Sequence, residues 1–490
     1  MRETTRLQLQ LGEIDIAGIQ ISTRSRDDIP QLLRGLQYLY SDLSLRSEIF
    51  KVLENLSPST VSIELGRPGM GWWKILVMGT LRLNLNCDYD RLQELANHHR
   101  IIRQMLGHGF CDDDKEYSLQ SLKDNVRLFT PELLDQINQI VVNAGLKLKK
   151  KDLLAGRCDS FVVETNVHYP TDINLLFDAM RKTISLTANY ADREQLTGWR
   201  QYKYNIRQVK QAYRAAQQMK RSTSQNEKKK QWRDNAIAQA HQQYIDLSLA
   251  FLKKVQLTLA IKLDNPHLFS EAKVMEIEGF IQHAKRQIDQ IERRVLKQEI
   301  IPHQEKVFSL FQPHTEWINK GKAGVPVELG LKVCVVEATQ GYILHHSVMQ
   351  KETDNQIVID LINETQKRYP EFNACSFDKG FHSPENQIKL AEKLDQVVLP
   401  KKGRCNKEEK ARESSDEFRA SKRKHSAVES GINALEIHGL DKCPDQGLTG
   451  FKRYVALAVV ARNVQKLGSE LLKQSRKQEK RHRDRGKLAA

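Results

Sequence analysis

The sequence predicts an α/β protein. A mixed sheet carries a large helical insertion after its first strand, and an all-α N-terminal domain precedes it. Three observations predict this. Runs rich in β-branched and apolar residues occur at 156–167 and again between 327 and 400. Between them, residues from about 185 to 300 are poor in Gly and Pro and keep helical character throughout. Before them, residues 1–60 and 72–144 read as helices punctuated by Ile29-Pro30, Ser57-Pro58 and the turn-forming cluster Gly66-Arg67-Pro68-Gly69-Met70-Gly71.

These shifts divide the chain into a helical domain (1–145), the first part of a sheet domain (146–184), a helical insertion (185–304), the remainder of the sheet domain (305–468) and a basic, disordered tail (469–490). In the first domain, an apolar helix from Trp72 to Leu83 precedes a helix at Tyr89–Ala96 and a segment from His98 to Leu106 that carries Arg100 and Arg103. Three short helices with tight turns fit either a helix-turn-helix-like module, with both arginines directed at DNA, or a plain helical or dimerisation domain. Ser118 to Ala144 reads as a helical connection, with Thr130-Pro131-Glu132 starting a helix.

Gly156 to Val167 is the first strand, with Asp159 early in it. Asp is depleted in strands, and half-buried it is costly unless paired or bound to a metal. Thr171 or Asp172 caps the following helix, Leu175–Ile184. In the insertion, Lys220-Arg221, Glu227–Arg233 and a long exposed helix at Lys285–Val295 are basic. They form either a solvated hairpin or a set of cations that grips phosphates. Strands follow at Val307–Leu310, Val327–Val336 and Gly341–Val348, then a helix at Asn355–Tyr369. The strand Cys375-Ser376-Phe377 ends at Asp378, and Gly380 turns the chain away. A helix (Glu385–Leu394) and a strand (Gln396–Pro400) complete the sheet. Val428, Ile432 and Leu435 recur at i, i+4 and i+7 in a helix that also carries Glu429, and an apolar helix runs from Gly450 to Leu467.

Composition narrows the function. Lys and Arg number 77 against 61 Asp and Glu, a formal charge of +16, which favours a polyanionic partner such as nucleic acid. No apolar run approaches the roughly 20 residues that span a bilayer. The first twenty residues intersperse charge with apolar side chains, unlike a signal peptide. Seven cysteines without a Cys-x-x-Cys pair argue against a disulfide framework or a structural zinc site and for a cytosolic chain.

Asp159, Asp378 and Glu429 stand out as one possible constellation, two from strands and one from a helix. Phosphodiester chemistry needs charge neutralised on the non-bridging oxygens and an activated nucleophile, which two Mg²⁺ ions about 3.5–4 Å apart supply. Mg²⁺ prefers hard carboxylate oxygens, so three acids suffice to hold the pair. Other acids fit simpler roles. Glu164, five residues after Asp159, falls on the opposite strand face. Asp172 is placed to cap, and Glu316 and Glu436 are structural. His425 and Glu429, at i and i+4, share a helix face that could ligate zinc, but no second His/Cys pair completes such a site. His345-His346 reads as one buried and one exposed histidine.

Several segments together resemble bacterial insertion-sequence transposases of the DDE type. They are Asp159-Ser160 with Val163-Glu164-Thr165-Asn166 and His168-Tyr169-Pro170-Thr171-Asp172, Pro313-His314-Thr315-Glu316-Trp317-Ile318 with Lys320-Gly321-Lys322, Asp378-Lys379-Gly380-Phe381-His382-Ser383, and Glu429-Ser430 with His438-Gly439-Leu440-Asp441. The Gly66-Arg67-Pro68-Gly69 helix block is also similar to their N-terminal domain. The resemblance spans residues 60–465 and implies a ribonuclease H-like catalytic domain, in keeping with the element order of three meandering strands, helix, strand, helix, strand. It implies that the enzyme cuts at the element's ends and joins the freed 3′-hydroxyls to target DNA, as a homodimer or higher multimer on double-stranded DNA. Asp159, Asp378 and Glu429 are then the metal-binding triad for Mg²⁺, with Mn²⁺ able to substitute. Lys379, Arg423, Lys424 and His425 are the phosphate contacts beside it. The setting is the bacterial cytoplasm and its nucleoid, with no membrane partner. The long interval between the first two acids departs from many relatives, which place the insertion after the second, so the helical block carries over no role. The competing expectations are a non-catalytic DNA-binding protein derived from a transposase, and a helical scaffold.

Overall fold

The computed structural model describes residues 14–55, 69–109, 115–149, 154–219, 223, 225–261, 270–319 and 327–488. Gly66-Arg67-Pro68, Lys220-Arg221 and Lys320-Gly321-Lys322 lie outside the described residues. The protein is a mixed α/β chain in two compact units, one of Met1–Asn166 with Glu316–Ala490, the other of Val167–Thr315. The insertion therefore begins directly after the first strand, rather than at 185, and ends at 315 rather than 304. The helix from Asp172 to Arg193 belongs to it because its apolar face, Leu176, Met180 and Ile184, builds the core of that unit.

In the first unit, short polar side chains start the helices. Asp27 caps α1 (Asp28–Ser41) and Asp42 caps α2 (Leu43–Glu54). Next come α3 (Trp72–Asn84), α4 (Tyr89–His98), α5 (Arg100–Met105), α6 (Leu119–Val126) and α7 (Pro131–Lys147). Every residue of α3 except Lys74 is buried, and α7 buries Leu133, Leu134, Ile137, Val141 and Val142. These helices share one hydrophobic core with the sheet, so α7 is a core element and not merely a connection.

The sheet opens with β1 (Leu154–Thr165). The second unit follows: α8 (Asp172–Arg193), α9 (Tyr202–Gln218), α10 (Glu227–Leu259) and α11 (Ser270–Ile291). Thr171 is the cap of α8, and Asp172 instead pairs with Arg294 at 3.0 Å. The stretch expected as one exposed helix at 285–295 is the end of α11 plus a π-helical turn, and it buries Gln287, Ile288 and Ile291. Val307–Leu310 is not a strand: both of its end residues pack on the helical core of this unit. The strand nearby is β2 (Glu316–Asn319), which finds a ladder partner where 307–310 does not.

Back in the first unit come β3 (Val327–Ala338), β4 (Ile343–Val348), α12 (Asp354–Arg368), β5 (Phe372–Phe377), α13 (Pro384–Lys393) and β6 (Gln396–Val398). After them lie α14 (Lys407–Ser414), α15 (Asp416–His425), α16 (Ala427–Leu435), β7 (Lys442–Cys443) and α17 (Gly447–Leu488). The strand order is β2-β3-β1-β5-β6, with β4 also on β3 and β7 also on β1. β1 runs antiparallel to β3 and parallel to β5. Gly330 permits the first pairing at close range, since a Cβ there would sit 2.0 Å from the Val163 carbonyl oxygen.

The second half of β3 is buried on both faces, as a central strand should be. Neither histidine of β4 is exposed, contrary to expectation. His345 lies 2.5 Å from Arg368, which also pairs with Asp135, and burial drives the His345 imidazole down to about 2. His346 is likewise held down to about 4 by burial.

α17 organises the unit, burying Phe451, Val455, Val459, Val460, Val464 and Leu467. Asn463 spans two elements at once, donating to Asn138 Oδ1 (2.6 Å) and the Ile343 carbonyl (2.9 Å) while accepting from the Ile343 amide (2.9 Å). The helix continues through the segment expected as a disordered tail from 469, because Leu471 and Leu472 still meet the core and the Lys, Arg, Gln and Glu beyond them are good helix formers.

α1 and α17 touch backbone to backbone at paired glycines. A Cβ on Gly468 would lie 1.8 Å from the Gln31 carbonyl oxygen, and one on Gly35 2.2 Å from that of Val464. Gly468→Ala is expected to destabilise the first unit by about 2–3 kcal/mol through overpacking. Gly279→Ala, in α11 with open space around it, should stabilise by about 0.5–1 kcal/mol through helix propensity. Denaturant midpoints of the two variants test this, and equal effects would refute the close contact.

Candidate active site

Strand pairing decides where two of the acids fall. β1 and β5 run parallel with Cys158 opposite Phe377, so Asp159 and Asp378 each follow directly on the last pair of this ladder, at the same level of the sheet. Cys158 points into the core and is fully buried, which turns Asp159 to the other face beside Arg157. β5 ends at Phe377, and Asp378 caps a 3-10 turn, Lys379–Phe381, by accepting from the Gly380 amide at 3.4 Å. Buried Phe381 beside Phe377, 5.9 Å between ring centres, anchors that turn. Asp378 is exposed, while Asp159 is half-buried and accepts from its neighbour's amide, Ser160, at 2.7 Å.

α16 brings the third acid. Val428, Gly431 and Leu435 face inward, leaving Glu429 exposed in the first turn. A Cβ on Gly431 would lie 2.6 Å from Glu337 Oε1, so the helix rests against β3 where Glu337 meets Arg157 at 3.5 Å. Asp159 senses the other two acids. The Asp159 carboxyl is pushed up to about 6, first by burial and then by the negative charges of Asp378, Asp354 and Glu429, against the Ser160 amide that favours its ionised form. Among the described residues no group of three or more His, Cys, Asp or Glu side chains is close enough to hold a metal ion. The two observations are compatible, since charges interact over longer distances than coordination bonds span. The site is a gathering of acids, not a closed cage.

Asp354 is a fourth acid that the sequence did not reveal. It is the first residue of α12, accepts from Ser160 Oγ (2.7 Å) and meets Lys332 Nζ (3.2 Å). A Cβ on Gly380 would lie 3.0 Å from its Oδ2. Asp354 thereby joins β1, β3 and the Asp378 turn. Its only sequence signal was an acid in a helix first turn, which ordinarily needs no further role.

His425 ends α15, and Ser426 separates it from α16, so it does not share one helix face with Glu429 as the spacing suggested. Its Nδ1 lies 2.9 Å from Ser376 Oγ, two residues before Asp378, and its Nε2 is buried without a hydrogen-bond partner. Burial lowers the His425 pKa, while Asp378 and Glu429 oppose that shift. Arg423 and Lys424 are exposed in the last turn of α15, and Lys379 is exposed beside Asp378. The remaining two cations lie elsewhere in this unit. Arg100 is exposed on α5, whereas Arg103 donates to the carbonyls of Asn97 (3.2 Å) and Lys115 (3.0 Å) and so clasps its own loop. α3, the first helix of the block that reads as either a helix-turn-helix-like module or a plain helical domain, is buried except at Lys74, and its apolar residues pack against α17.

No family model, curated protein or solved structure compared with the chain matches it.

The raised Asp159 carboxyl carries a cost with a definite sign. Stability tied to it is full below pH ~4 and is lost as pH rises through about 6, where the folded carboxyl must ionise beside other acids. Asp159→Asn keeps the acceptor for Ser160 and removes the charge. It should raise stability at pH 7.5 by up to about 3 kcal/mol and give no gain near pH 4. Thermal denaturation at the two pH values, with divalent ions chelated, checks this; a gain that does not depend on pH would contradict the electrostatic origin.

Proposed function

We propose that the chain is a DNA transposase of the DDE type, with a ribonuclease H-like catalytic domain. The observation that carries this reading is that Asp159 and Asp378 each follow directly on the Cys158–Phe377 pair of the parallel strands β1 and β5, with Glu429 close enough to act on Asp159. The element sequence supports it. Antiparallel β1, β3 and β4, then α12, β5, α13 and β6 with β5 and β6 parallel, is the order that a ribonuclease H-like domain requires. The formal charge of +16 suits a DNA partner.

The donor set fits a pair of Mg²⁺ ions. Asp159, Asp378 and Glu429 offer hard carboxylate oxygens, and divalent positive charge would offset both the burial and the neighbouring negative charges that raise Asp159. Such ions, when bound, stabilise charge on the phosphate oxygens and lower the pKa of an attacking water or hydroxyl. The protein's own contribution is positioning. Lys379, Arg423 and Lys424 hold the scissile strand's phosphates beside the acids, and Asp354, with Lys332 and Ser160, fixes β1 against the Asp378 turn. Cutting at the ends of an insertion sequence and joining the 3′-hydroxyl ends to target DNA needs two such sites in one complex, so the active species is a multimer on DNA. Among the described residues no helix is long and apolar enough to cross a membrane, and this reading assigns the protein to the cytoplasm.

The test incubates the full chain with Mg²⁺ and duplex DNA taken from the two flanks of its reading frame. Asp378→Ala and Glu429→Gln should bind that DNA as the parent does, while cleavage falls by about 10³-fold or more, the scale at which loss of transition-state charge stabilisation reads out. Cleavage by Asp378→Ala at the parent rate sinks the proposal. DNA binding without cleavage by any of the proteins would identify a non-catalytic binder instead.

A further inference from the structure

α9 carries Lys203, Arg207, Lys210 and Arg214 and no acidic residue. All four cations are exposed, and none forms an ion pair among the described residues. Their spacing of four, three and four residues, at ~100° per residue, confines them to an arc of ~60° along ~16 Å of helix. The opposite face is fixed. Asn205, Val209 and Ala216 are buried, and Ile206, Ala212 and Tyr213 pack on the core of the second unit. Tyr213 further ties the helix down by donating to Asn174 Oδ1 on α8 at 2.7 Å and by stacking on Phe177.

We infer that this stripe is a docking surface for the sugar-phosphate backbone of duplex DNA, which gives the inserted unit a role in holding DNA for the proposed transposase, and the inference rests on that reading. A duplex carries one negative charge per ~1.7 Å of axis, so a straight cationic row of this length faces an unbroken run of phosphates. Long, unpaired Lys and Arg side chains on a rigid support suit contacts that position DNA without reading its sequence. A lipid surface fits less well. An interfacial helix lays an apolar face into the bilayer, and the apolar face of α9 is already committed to the protein core. The next helix along the chain, α10, also starts with exposed cations, Lys228 and Lys229, and with Trp232 68% exposed.

The experiment measures binding of the full chain to fluorescent duplex DNA across 50–200 mM salt, for the parent, for the quadruple variant Lys203→Gln, Arg207→Gln, Lys210→Gln, Arg214→Gln, and for the two double variants made from its halves. Each phosphate contact contributes ~0.9 to the slope of log K against log salt, so the quadruple variant should be shallower by about 3–4 and each double variant by about 2. Affinity at 0.1 M salt should fall by about 10²-fold or more in the quadruple variant. Glutamine is a good helix former, and circular dichroism should be unchanged; the double variants decide the matter if the quadruple variant unfolds. Slopes equal to the parent's, or a parent that binds no duplex, overturn the inference. Cleavage separates the two claims. A parent that binds through the stripe but does not cut sinks the catalytic reading alone, whereas intact cutting with an unchanged slope sinks the stripe alone.

Discussion

The parallel pairing of β1 with β5 is the constraint on which the site depends. With Cys158 opposite Phe377, one carboxylate from each strand falls at the same level of the sheet. Side chains alternate with a period of two, so a slip of one residue in either strand would turn one acid into the core and one apolar side chain out to solvent. Cys158 and Phe377, both fully buried, penalise that slip. Core packing thus enforces the juxtaposition of the acids. The antiparallel contact with β3 on the other edge of β1 reinforces it, because Gly330 lets the two backbones meet where a side chain would hold them apart.

Gathering acids costs stability, and the neighbourhood is arranged to contain that cost. Arg157 meets Glu337 behind the site, Lys332 meets Asp354, and the Ser160 amide and hydroxyl are given to Asp159 and Asp354. Asp378 and Glu429 remain exposed, where water screens them, and only Asp159 is drawn well inward. A half-buried carboxyl among other acids is an expensive arrangement in a protein whose net stability is the small difference of large terms, and its retention is intelligible where the acids act together on a ligand of opposite charge.

Much of this was legible in the sequence, and the failures have physical causes. β-branched runs marked β1, β3, β4 and β5, and the i, i+4, i+7 spacing of Val428, Ile432 and Leu435 marked α16 with Glu429 on its outer side. Residues 307–310 read as a strand and 316–319 did not, because propensity reports a local preference only. What decided between them was the antiparallel partner, Val327–Gly330, which a local reading cannot supply. The tail from Lys473 has the composition of both a disordered arm and a solvated helix; the buried residues just before it, Leu471 and Leu472, tip the balance to helix. Asp354 was invisible for a different reason, since its bond to Ser160 closes across 194 residues and exists only once the sheet is assembled.

The way β3 receives its neighbours also bears on how the helical unit is joined to the rest. Gly330 has Glu164 beside it on one edge and Glu316 on the other. The points where the polypeptide leaves the sheet and returns to it therefore stand only two strand widths apart, roughly 10 Å. Three or four residues of extended backbone cover such a gap. The sheet would close around a short loop as readily as around the whole helical unit, so a unit of this kind can be gained, lost or exchanged in evolution without disturbing the ladder that carries the acids.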